Sequence, residues 1–163
     1  MSIKAIATAV LVTFGLASTS VFSATVTNTM PVRITIQNAC NISTTAPTML
    51  DFGTQGPLVA NIDQTSTITV TCTNLAPYNV GLNGGVSGSV TARTMLNGTT
   101  PVNYSLFRDS ARTLNWGNTV GTDTVSGTGN GTAQSLTVYG QVPASQFVTP
   151  GSYADTITAT ISY

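Results

Sequence analysis

The amino-acid sequence predicts an all-β sandwich, and three observations carry that prediction. Apolar and polar residues alternate at period two along most of the chain, the spacing that gives a strand one buried and one solvated face. Beyond the first two dozen residues, no stretch repeats apolar side chains at helical spacing. Three Asn-Gly pairs, Asn83-Gly84, Asn97-Gly98 and Asn130-Gly131, punctuate the alternation and accept the positive φ angles of tight hairpins.

The strands follow from which face is apolar. Residues 25–37 place Val26, Met30, Val32, Ile34 and Ile36 on one side, interrupted by Pro31, and predict a long strand. Leu50 and Phe52 predict a short strand closed by Gly53. In STITVTC, Ile68, Val70 and Cys72 point one way while Thr67, Thr69 and Thr71 point the other; Tyr78, Val80 and Leu82 repeat the pattern. Tyr104 and Leu106 follow, then Leu136, Val138 and Val142, and finally Tyr153, Ile157, Ala159, Ile161 and Tyr163. Threonine is abundant and, being β-branched and polar, suits a solvated strand face. About seven short strands separated by turns predict a sandwich of the immunoglobulin type. Residues 117–131, rich in Gly, Thr and Asn, read as a loop.

Residues 1–23 have the layout of a secretory signal peptide: a positive charge at Lys4, an uncharged and mostly apolar run over 5–17, and small residues over 20–24. The apolar run is too short to span a bilayer comfortably. Cleavage is expected after Ser23 or Ala24, leaving about 140 residues, the size of one domain. With export into an oxidising compartment, Cys40 and Cys72 are expected to form a disulfide.

Charge excludes several functions. The mature chain holds Arg33, Arg93, Arg108 and Arg112 against Asp51, Asp63, Asp109, Asp123 and Asp155, with no Lys, Glu or His. It has no clustered basic residues to displace counterions from phosphates, so nucleic acid is not an expected partner. Without histidine there is no Ser-His-Asp unit and little to hold a metal, and no cofactor motif is present. A pair drawn from Asp109, Asp123 and Asp155 could in principle serve glycoside hydrolysis, but each reads better as a surface or turn residue. No enzyme is expected. Gly127, Gly129 and Gly131 lack phosphate-loop spacing. Arg108, Asp109 and Arg112 read as a solvated charge cluster. Trp116 with Tyr104 could form a sugar-stacking platform, although aromatics at alternating strand positions belong more often to a core.

The two ends carry the functional reading. The alternation runs to Tyr163, and the strand over 25–37 precedes Cys40 with no hairpin tying it to a neighbour. A spare amphipathic strand and an uncovered edge can satisfy each other by pairing between molecules.

Cys40 with LDFG at 50–53, TVTCT at 69–73, PYNVGLNGG at 77–85, Arg93 with Met95, YSLFRDSAR at 104–112, Trp116-Gly117, LTVYGQVP at 136–143 and GSYADTITATISY at 151–163 occur in this order. In these pieces the chain resembles the spore coat protein U domain family, which includes the pilin subunits of archaic chaperone-usher systems. The resemblance implies an incomplete immunoglobulin-like sandwich lacking its last strand. A periplasmic chaperone would hold it until the N-terminal strand of another pilin subunit completes it at an outer-membrane usher. On this reading residues 24–36 are the donor extension and 37–163 the domain. Val26, Met30, Val32 and Ile34 would be the inserted side chains, with Asn28 as a small or polar position and Ile36 fitting either side of the boundary. Ile157, Ala159, Ile161 and Tyr163 would line one wall of the acceptor groove, with the Tyr163 carboxylate as the chaperone's anchor point. The implied function is that of a structural subunit of a surface pilus, exported through the periplasm, in adhesion and biofilm formation. A spore or cell-coat component built on the same domain is the main alternative, and a secreted carbohydrate-binding module a third.

Overall fold

A computed structural model describes residues 23–43 and 49–163; the expected signal peptide lies almost wholly outside them. The chain divides into two units, Met1–Ile34 and Thr35–Tyr163. In the first, the described residues form no β-ladder, and Val26, Met30, Val32 and Ile34 are 82–95% exposed. Ile36, just inside the second unit, is also exposed and outside any ladder. The strand expected over 25–37 is therefore not formed in this chain. Alternation sets which side chains share a face, but a strand also needs a backbone partner.

The described residues of the second unit form eight strands: β1 (Cys40–Ser43), β2 (Ile62–Cys72), β3 (Pro77–Leu82), β4 (Arg93–Asn97), β5 (Thr100–Phe107), β6 (Val125–Thr128), β7 (Ala133–Val142) and β8 (Ala159–Ser162). They form a five-stranded sheet, β1-β2-β7-β5-β4, and a three-stranded sheet, β6-β3-β8. Every strand pairing is antiparallel. The ladder of β2 with β7 runs from Ile62 opposite Val142 to Thr71 opposite Ala133. The sheets bury Ile68, Val70, Tyr78, Val80, Val102, Leu106, Trp116 and Val138 between them, as the alternation of these residues requires.

Cys40 and Cys72 form the expected disulfide and stand opposite each other in the β1–β2 ladder. In the chain-entropy model a loop of this size stabilises the fold by roughly 3–4 kcal/mol.

Four expectations change. Leu50 and Phe52 pack against the core from irregular backbone instead of a strand. Of the Asn-Gly pairs, only Asn97-Gly98 makes a hairpin, joining β4 to β5 with Asn97 opposite Thr100. Asn83-Gly84 leads into a short 3₁₀ turn at Gly85–Ser87, and Asn130-Gly131 carries the chain from one sheet to the other. Residues 117–131 are no plain loop: Val125–Thr128 pairs with β3 as β6. Gly127 is needed there for close approach, because a Cβ would overlap the Tyr78 ring. The long terminal strand is two pieces. Ala154 bridges Leu96 of β4 in one sheet, and only β8 pairs with β3 in the other.

Candidate functional site

The separation of those two pieces leaves an open cleft of about 1690 Å³ between the sheets. The five-stranded sheet contributes Ile62, Ile68, Val102, Leu106 and Val138; the opposite side contributes Leu82, Ile157 and Ala159. Leu50 and Phe52 lean over it, and the Phe52 ring meets Tyr104 edge-on at 6.4 Å between centroids. β8 borders the three-stranded sheet with β3 on one side only, so its other edge has backbone N–H and C=O groups without a strand partner among the described residues.

One end of the cleft is fixed by a polar network that the sequence did not reveal. Arg93 is fully buried, and its guanidinium donates to the carbonyls of Asn83 at 2.9 Å, Val90 at 2.8 Å, Leu82 at 3.0 Å and Trp116 at 2.7 Å. Burial pushes its pKa down, while Tyr104, Asp155 and Asp123 oppose that shift. Trp116 itself donates from Nε1 to the Val80 carbonyl at 2.8 Å. Tyr104, opposite Arg93 in the β4–β5 ladder, donates its hydroxyl to Asp155 Oδ2 at 2.6 Å. Burial pushes the Tyr104 phenol far above its ordinary value, and the bond to Asp155 adds to the shift. Asp155 also accepts from the backbone N–H of Val86 and Thr156. Its carboxylate lies against Gly85, where φ is +60° and a Cβ would collide with it. The available signal was the Tyr-x-Asp spacing at 153–155, whose Tyr153 hydroxyl donates to the Thr149 carbonyl at 2.7 Å and braces the same crossing.

Of the expected groove residues, Ile157 and Ala159 line the cleft. Ile161 is half-buried against the core, and Tyr163 is 61% exposed, outside the lining. The expected donor residues Val26, Asn28, Met30, Val32 and Ile34 are exposed. Trp116 and Tyr104 belong to the core, so they offer no sugar platform. The charge cluster divides its contacts. Arg108 donates to the carbonyls of Thr124 and Thr122, and Arg112 meets Asp63 at 3.4 Å and the face of Tyr139. Asp109 accepts from Leu114 N at 2.8 Å and from the Thr113 hydroxyl at 2.8 Å. Asp123 accepts from Thr119 N at 2.7 Å.

The model of the Spore Coat Protein U domain matches residues 26–160. The chain belongs to that family. Protein U of Myxococcus xanthus is 42% identical to this Spore Coat Protein U domain over 65 residues, 40% of this chain and 36% of that protein. The fold is similar, at a TM-score of 0.54 and 22% identity, to a chain in the crystal structure of the CsuC-CsuE chaperone-tip adhesion subunit pre-assembly complex, from the archaic chaperone-usher Csu pili of Acinetobacter baumannii. That match covers 79% of this chain and 40% of the other. This Spore Coat Protein U domain is thus an all-β, immunoglobulin-like sandwich with one disulfide.

Proposed function

We propose that this domain is a structural subunit of a chaperone-usher pilus that polymerises by donor-strand exchange and serves surface adhesion and biofilm formation. The observation that carries the reading is a complementarity. An apolar cleft stands open beside the free edge of β8, and residues 26–34 present an exposed apolar face with no ladder of their own. In a second copy, that segment would add a strand to β8 and bury Val26, Met30, Val32 and Ile34 in the cleft. Each such side chain contributes roughly 1.5–3 kcal/mol when fully buried. A periplasmic chaperone would cover the cleft beforehand, in line with the complex that provides the fold match. Exchange at an outer-membrane usher would trade chaperone contacts for subunit contacts without a nucleotide, and the fibre would emerge at the cell surface.

Deleting residues 25–30 after the signal tests this. The expected product is a monomer or a chaperone-bound subunit that forms no fibres; unaltered fibres would sink the reading. The relation to Protein U supports a second reading, a coat component assembled by the same strand exchange. Immunogold electron microscopy separates the two, by label on thin fibres or on a continuous layer.

A further inference from the structure

Among the β2 residues that line the cleft, Ser66 stands as a polar side chain between apolar ones. It lies on β2 between Ile62 and Ile68 in the inward alternation, opposite Val138 of β7. Its hydroxyl is buried and has no hydrogen-bond partner among the described residues. The other hydroxyl that strand residues bring into the lining, Tyr104, is taken by Asp155. A buried polar group left unpaired is costly in a native fold and calls for an explanation.

The exposed face at residues 26–34 is broken in the same way. Its alternate positions are Val26, Asn28, Met30, Val32 and Ile34, four apolar side chains and one amide. Asn28 Oδ1 accepts from the adjacent Thr29 N–H at 2.9 Å, a local bond that side-chain rotation releases, and its Nδ2 carries two donors. These nine residues span roughly 26 Å as a strand, less than the eleven-residue β2 on the cleft floor.

We propose that Asn28 of one copy hydrogen-bonds Ser66 of the next and so fixes the register in which the strand enters the cleft, an inference that rests on the strand-exchange reading above. Four apolar positions at period two define a face but not a register, because a slip of two residues keeps every side chain on the same side. The polar pair removes that ambiguity. A slip sets the Asn28 amide against apolar lining and leaves Ser66 unpaired. A buried polar residue fixes register in coiled coils by the same logic.

The test uses full-length mature chains, one carrying Ser66→Cys and the other Asn28→Cys, co-refolded under oxidising conditions and read by mass spectrometry. The intermolecular crosslink is expected at a yield about tenfold above that of Val26→Cys or Met30→Cys with the same partner, because only the position opposite residue 66 brings the two Cα atoms within the roughly 7 Å that a disulfide spans; this arm reads proximity, and the paired substitution reads the bond. Equal yields, or a maximum at a neighbouring position, overturn the register. No crosslink at any of the three positions overturns strand exchange itself. In a separate sample of a chain that carries both substitutions, a crosslink formed only within the chain overturns the second copy as occupant.

The paired substitution gives an independent readout. Asn28→Val is expected to speed subunit dissociation about tenfold when residue 66 is Ser, and to have little effect in a Ser66→Val chain, where both partners have become apolar. The same effect in both backgrounds would refute the pair.

Discussion

The Tyr104 hydroxyl donates to Asp155 Oδ2 across 2.6 Å, tying β5 of the larger sheet to the segment that leads into β8 of the smaller one. Residues 154–159 pass between the sheets there, from the Ala154–Leu96 bridge to the β3–β8 ladder. The bond therefore holds the cleft's end at a fixed width. Tyr104→Phe removes it and leaves Asp155 with its backbone donors only, at an expected cost of roughly 1–2 kcal/mol. The substitution also has a pH signature. Because the folded-state pKa of Tyr104 is raised, its contribution is fully present below the unfolded value near 10 and is lost as pH rises above that. Urea unfolding from pH 8 to 11 is expected to show a steeper alkaline decline for the unaltered chain than for Tyr104→Phe.

Arg93 serves four backbone carbonyls from a fully buried position. Arg93→Met leaves those carbonyls short of donors and is expected to cost roughly 3–5 kcal/mol. Arg93→Lys is expected to restore only part of the loss, since an ammonium offers three donors at a point instead of a planar fork. Chemical denaturation of the two variants checks both the size and the order.

Asp109 is held below the ordinary carboxylate range first by the Leu114 N–H and then by the hydroxyl and N–H of Thr113. A depressed folded pKa contributes stability above the unfolded value near 3.9 and loses it as pH falls through the folded value. The difference in Tm between the unaltered chain and Asp109→Asn is expected to be largest above about pH 5 and to close below about pH 3. A constant difference across that range would show that the carboxylate charge is not involved.

Much of the core was legible from alternation, because Ile68, Val70, Tyr78, Val80, Leu106 and Val138 sit at period two on long strands with both neighbours in place. β6 was not. Its single apolar residue, Val125, gives no pattern, and Gly127 reads as flexibility when it is in fact space for the Tyr78 ring. The Asn-Gly pairs fixed where the chain turns but not which sheet it turns into, since local φ preferences hold no information about the next partner. The alternation from Tyr153 to Tyr163 continues across a change of sheet for the same reason: side-chain period is blind to backbone pairing. Nothing in the sequence pattern set Arg93 apart as a buried residue, because its role depends on carbonyls from Leu82, Asn83, Val90 and Trp116 that only the fold brings together. Asn28 was visible as a polar position in an apolar face, but its counterpart Ser66 emerged only with the cleft.

The central claim is that β8 gains a strand from another copy. Amide hydrogen exchange at Ala159–Ser162 tests it, with assembled full-length protein compared with the chain lacking residues 25–30. The β8 amides directed away from β3 are expected to be protected in the assembly and to exchange freely in the shortened chain. Equal exchange of those amides in both samples would mean that β8 remains an edge strand and that assembly proceeds through another surface.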